Sequence, residues 1–171
     1  MRTLIGAIAI LAFSNLAHAE VLWGKVESGA SVDEVAKSYP NGNRITPNDK
    51  QQLKNGASLQ YKVESVDVVN KPFDAAFYFL EGKLYQVSLT YRSKESTHVC
   101  ELTSDSVQEA LASKYGKEIK AERSGGLGVS KSASWISGKN TISLDMFSFG
   151  NPDCTIFVTY SPRLAEGSAN L

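Results

Sequence analysis

The sequence predicts an α+β domain: two αβββ repeats forming one antiparallel sheet, with helices packed on one face. Three observations lead there. Two S-x-x-E boxes, at Ser31 and Ser106, each open an apolar stripe of helical period. Each box is followed by runs that alternate with a period of two. The two blocks recur in the same order about 75 residues apart, from Ser31 to Ser106, which is how an internal repeat declares itself.

The first element lies outside the repeats. Arg2 is the only charge before Glu20, "LIGAIAILAF" is a short apolar run, and "AHA" ends at Ala19. A basic start, an apolar core and an A-x-A site describe a signal peptide over residues 1–19, cut between Ala19 and Glu20. The run is too short for a membrane anchor, which must cross about 30 Å of hydrocarbon. The expected location is the periplasm, or outside the cell after secretion. The leader carries one of the 18 basic residues, Arg2, so 17 remain against 18 acidic. That balance argues against a nucleic-acid or anionic-membrane partner.

In the first repeat, about 20–95, "SVDEVAKSYP" reads as a helix. Ser31 caps it, Glu34 reaches back, and Val32, Val35, Ala36 and Tyr39 share a face before Pro40 stops it. Residues 40–58 are rich in Pro, Asn and Gly, the composition of turns. Strands follow at 59–69 and in a hairpin over 73–91 that turns at Glu81-Gly82. On its second strand Tyr85, Val87, Leu89 and Tyr91 are expected on the buried face, with Gln86, Ser88, Thr90 and Arg92 on a wet one.

In the second repeat, about 96–161, "SVQEALASKYGK" reads as a helix capped by Ser106 and Glu109, with Gly116 at its end. Strands are expected over 132–147 and 154–161, and a loose tail over 162–171. Cys100 lies just before this helix and Cys154 at the last strand. In an oxidising compartment the pair reads as a disulfide that would pin the helix to the sheet, with a metal site or catalytic thiol as the alternative. With one histidine after the leader, His98, a zinc set is poor.

"SGGLGVSKS", residues 124–132, looks at first like a phosphate loop. Ser130 stands where a Walker loop needs glycine before its lysine, and the segment precedes a strand rather than a helix. It reads as a strand connection. No G-x-S-x-G elbow and no S-x-x-K pair occurs. The chain is therefore expected to be no enzyme, and to need no cofactor and no metal. Its strands carry more aromatics than one layer of helices can cover, and exposed aromatics on a rigid sheet anchor protein interfaces. Tyr78, Trp135 and Phe147 are the candidate anchors, with Gly126 and Lys131 on the rim loop.

The order of elements, together with "SGASVDEV" (Gly29, Ser31, Glu34, Val35), resembles the duplicated helix-plus-sheet fold of the β-lactamase inhibitory proteins. A related half occurs in the small outer-membrane lipoproteins of the β-barrel assembly machinery. The second copy departs from the motif, with Ser104 for the glycine and Ala110 for the valine. The resemblance implies a non-catalytic exported module that presents a sheet face to another protein: an inhibitor, immunity factor or envelope accessory. The competing expectation is a cell-envelope hydrolase or a small-ligand-binding protein, built on acidic residues that converge in a pocket.

Overall fold

A computed structural model describes residues 20–126, 128–150 and 152–163. Residues 1–19, expected as a leader, and residues 164–171 of the expected tail lie outside them. A small hairpin comes first, β1 (Val21–Trp23) and β2 (Val26–Glu27), turning at Gly24 with φ 57°. Helix α1 (Val32–Ser38) follows, then β3 (Asn43–Arg44), a 3-10 turn at Asp49–Gln51, and the long strands β4 (Ser58–Val68), β5 (Lys71–Leu80) and β6 (Lys83–Ser93). Helix α2 (Thr97–Tyr115) leads into β7 (Lys120–Ser124), β8 (Val129–Ser137), β9 (Asn140–Ser148) and β10 (Cys154–Pro162). The expected α+β class is correct.

Eight strands form one antiparallel sheet in the order β3-β4-β5-β6-β10-β9-β8-β7. Each helix is followed by a meander, and the meanders meet at their last strands: Val87 pairs with Tyr160, Leu89 with Val158 and Tyr91 with Ile156. Hairpin turns work as the sequence suggests. Glu81 and Gly82 both take positive φ, 51° and 73°, the two-residue geometry whose twist matches that of the strands.

One face of the sheet holds the core. Phe73, Phe77 and Phe79 of β5, Val87 and Leu89 of β6, Ile142, Leu144 and Met146 of β9, and Ile156 and Val158 of β10 are all buried there. Both helices pack on this face, α1 through Val35 and α2 through Cys100, Val107 and Leu111. Each buried side chain of this size adds about 1.5–3 kcal/mol. Trp23 of the small hairpin stacks on Tyr39, centroids 5.4 Å apart, and meets Phe77 edge-on at 5.8 Å.

Several expectations need correction. Helix α2 begins nine residues before Ser106, at Thr97. Ser96 is its cap, accepting the Val99 N–H, while Ser106 sits mid-helix and donates to Leu102 O at 3.0 Å. A serine in a formed helix can always bond back to the carbonyl four residues earlier, so an S-x-x-E spacing alone does not mark a start. Cys100 therefore lies in the first turn of α2, not before it. Four strands, not three, follow α2, because 120–124 pairs with β8 although every residue is exposed. On β6 a bulge at Tyr85 shifts the pattern, so Leu84 is buried and Tyr85 is not. Residues 162 and 163, expected in a loose tail, are held to the sheet: Pro162 pairs with Asn140 and the Arg163 N–H donates to Lys139 O.

The disulfide is present. Cys100 and Cys154 are fully buried, their Cα atoms 5.5 Å apart across 54 residues of chain. Closing such a loop is worth about 4 kcal/mol in the chain-entropy account. Beside it, Thr97 Oγ1 and Ser148 Oγ share a hydrogen bond of 2.8 Å, which ties the start of α2 to the end of β9. A second polar knot holds the turn from β6 into α2. Glu95 accepts from Lys71 at 2.8 Å, Tyr91 at 2.7 Å and Ser93 at 3.0 Å.

Two tests follow from these contacts. Ser96→Ala should cost about 1 kcal/mol in chemical denaturation, while Ser106→Ala should stay within about 0.5 kcal/mol of the parent. The Lys71 ammonium, then the Tyr91 hydroxyl, hold the Glu95 carboxyl below its ordinary 4.5. A lowered folded-state value means the stabilisation is whole above pH 4.5 and disappears as pH falls through the folded value. Glu95→Gln should therefore be less stable than the parent at pH 7, and the two denaturation curves should converge in acid.

Candidate functional site

Because both helices take the same side, the opposite face of the sheet is left without a described helix. Alternation decides what lies there. On β8 the core-side positions are Ala133 and Trp135, so Ser130, Ser132 and Ser134 face the other way. On β9 that face carries Thr141, Ser143, Asp145 and Phe147, on β10 Thr155, Phe157, Thr159 and Ser161, and on β6 Ser88, Thr90 and Arg92. The middle of the open face is thus a field of small hydroxyls, half-buried by their cross-strand neighbours. Tyr78 lies toward the far end, between Leu59 and Gln86.

An aromatic corner interrupts this field. Phe147 stacks on Phe149 with centroids 6.1 Å apart and meets Phe157 edge-on at 6.4 Å. The Arg92 guanidinium sits 6.0 Å over the Phe157 ring, a cation–π contact. Phe149 is 69% exposed, the most exposed large apolar side chain among those described.

Asp145 is set into this corner. It pairs across the ladder with Phe157 on one side and Ser132 on the other. Burial pushes its carboxyl above the ordinary 3.8, and a Ser143 hydrogen bond pulls back only part of the way. Among the described residues it makes no ion pair. Beside it lies a hollow of about 440 Å³ lined by Glu122, Arg123, Ser124, Ser130, Lys131, Ser132, Asp145 and Phe147.

The residues expected to act from the sequence are scattered. Phe147 is in the corner. Tyr78 is on the same face but on β5, three strands from Phe147 on β9, and half-buried. Trp135 is a correction: it has no exposed surface and donates its indole N–H to Gly116 O at 3.0 Å, locking the end of α2 onto the sheet. Lys131 is another. It belongs to β8, not to a rim loop, and its ammonium meets Asp105 of α2 at 2.5 Å on the helix side. Gly126 is exposed in the β7–β8 connection. His98 is exposed on the first turn of α2, across the sheet from Asp145. Among the described residues no group of three or more His, Cys, Asp or Glu side chains is placed to hold a metal ion, and no helix is long and apolar enough to cross a membrane.

Asp145 and Arg92 escape a reading by motif. The alternation in "TISLDMF" already places Asp145 with Phe147, opposite Leu144 and Met146. What the sequence does not show is that β10 inserts beside β6 and so brings Arg92 and Phe157 to the same corner. No family model, no curated protein and no solved structure matches the chain.

A carboxylate held half out of water works against folding. Its folded-state value is raised, so the folded chain binds the proton more tightly, and ionisation favours the unfolded chain as pH rises above 3.8. Asp145→Asn should raise the denaturation midpoint at pH 7, and the gap should close below pH 3.8. Paired melts at the two pH values measure it.

Proposed function

We propose that this chain is an exported, non-catalytic protein-binding module that grips its partner with the open face of the sheet, as an inhibitor, immunity factor or envelope accessory. The observation that carries the reading is the face itself: rigid, rich in short hydroxyl side chains that lose little entropy on contact, and tipped at one corner by stacked phenylalanines. The six long strands, nine to eleven residues each and about 4.8 Å apart, give a surface of roughly 900 Å². A stable complex takes about 800 Å² from each partner. Aromatic side chains are enriched at such surfaces and are frequent among the residues that dominate binding.

Export is part of the proposal. The buried disulfide is compatible with an oxidising compartment, periplasmic or extracellular. Glu20 is itself held in the fold, its carbonyl by the Ser28 N–H and its carboxylate by the Lys139 N–H, so a cut after Ala19 leaves these contacts intact. The two helix-plus-meander halves are read as copies of one ancestral unit, the plan of the β-lactamase inhibitory proteins.

One observation favours a second reading, a hydrolase. Glu122 and Asp145 line the same hollow on alternate strands, two spacings or about 9.5 Å apart, near the upper limit for an inverting pair of carboxyls. Glu122 is exposed and paired with Lys120 at 3.0 Å, which suits a solvated surface better than a catalytic acid.

A photo-crosslinking residue at Ser143 or Thr159 should trap a discrete partner from envelope extract, while the same residue at Ser113, exposed on α2, should not. Equal labelling from both sides of the molecule would remove the sheet face as the contact surface. Cleavage of a cell-wall glycan that is lost in both Glu122→Gln and Asp145→Asn would move the reading to the hydrolase.

A further inference from the structure

The hollow beside Asp145 carries a sharper statement about what enters it. Four charged residues line it: two cations, Arg123 and Lys131, and two anions, Glu122 and Asp145. Both cations are already engaged with helix α2. Arg123 binds Glu101 through Nε at 3.1 Å and Nη2 at 2.8 Å, and Lys131 binds Asp105. Glu122 is matched by Lys120. One charge is left without a counter-ion among the described residues, the Asp145 carboxylate, and it is half removed from water.

We infer that this hollow receives a basic side chain of the bound protein, an arginine or a lysine, whose charge meets the Asp145 carboxylate while its flat or aliphatic part lies along the Phe147 ring. The inference rests on the open face being a contact surface and names the chemistry of what that surface accepts.

Charge and desolvation together favour a cation in the hollow. An anionic group, whether carboxylate or phosphate, would meet an uncompensated negative charge in a site whose cations are already paired. An apolar side chain would finish desolvating the Asp145 carboxylate without offering it a partner, at a cost of kilocalories rather than tenths. A guanidinium or ammonium supplies the missing charge and also suits an aromatic face. The corner already contains one such arrangement, Arg92 over Phe157, so the rings are laid out to accept a cation from above.

The test is heteronuclear NMR of the isotopically labelled protein titrated with Nα-acetyl-arginine methylamide, with the neutral citrulline analogue as control. The arginine probe should shift Ser132, Asp145 and Phe147 in a saturable way. Citrulline, or arginine against Asp145→Asn, should bind at least about fivefold more weakly, the ratio that about 1 kcal/mol represents. The spectrum of the variant itself shows that it is folded. Equal shifts from arginine and citrulline, an unchanged titration in Asp145→Asn, or shifts centred instead on Glu101 and Asp105 would each overturn the inference. If crosslinking on the open face traps a partner but arginine does not bind here, only this inference falls. If no partner is trapped from either face, it falls together with the proposed function.

Discussion

The pairing of β6 with β10, closed at one end by the Cys100–Cys154 bond, is the constraint on which the rest depends. It joins the last strands of two meanders that are far apart in sequence, so the chain must bear the loop-closure cost of a long-range contact before it gains from it. The disulfide lies at the end of that seam: Cys154 pairs with Ser93, only a short turn before α2, and Cys100 is in the first turn of α2. One covalent link therefore fixes the seam and decides which side of it α2 covers. Trp135, through its bond to Gly116 O, fixes the other end of the same helix. With both ends held, α2 cannot cross to the opposite face.

Two unlike surfaces follow from that choice. The covered side takes phenylalanines, branched aliphatics and Met146, packed to nearly zero exposure. The uncovered side must hold strand geometry without gaining much from burial, and serine and threonine meet that need. They are short, they satisfy their own polar groups in water, and threonine favours the extended backbone. The sheet's edges are defended separately. At one end β7 reads Lys-Ala-Glu-Arg-Ser and is exposed throughout; at the other β3 covers only two residues of β4, whose outer half is bent by a bulge with Ser65 at φ 56°. Charge, brevity and a bulge are the usual means of keeping an edge from pairing with another chain. The broad face, in contrast, is left without a covering helix among the described residues.

Local features were legible in the sequence because their causes are local. Ser31 and Glu34 form both bonds of the capping box, Glu81-Gly82 makes its turn, and the alternation in β9 assigns every side chain to a face. The failures share one cause. Whether Ser106 starts a helix or rides in its middle depends on whether the preceding ten residues can bury Cys100 and Thr103 against the sheet, a tertiary fact. Whether Trp135 anchors a partner or a helix depends on which carbonyl lies across from it, and Gly116 is nineteen residues away. Strand β7 carries no apolar pattern, because an edge strand is selected for charge. The candidate site was half visible: Phe147 stood out as an aromatic, but Asp145 gains its character only when Phe157 and Ser132 come to flank it from two other strands.

That character bears on function through stability. A designer seeking only a stable sheet would not place a carboxylate between two phenylalanine-bearing strands, since burial there opposes its ionised form. Neighbouring positions on the same face show the alternative, because Ser143 and Thr159 occupy comparable sites without that strain. Glu95, another half-sheltered carboxylate, differs in kind: an ammonium and two hydroxyls satisfy it, and it strengthens the fold. Asp145 has one hydroxyl and no cation. Asp145 thus weakens the fold at neutral pH, and among the described residues it lies beside a hollow with no cation to match it.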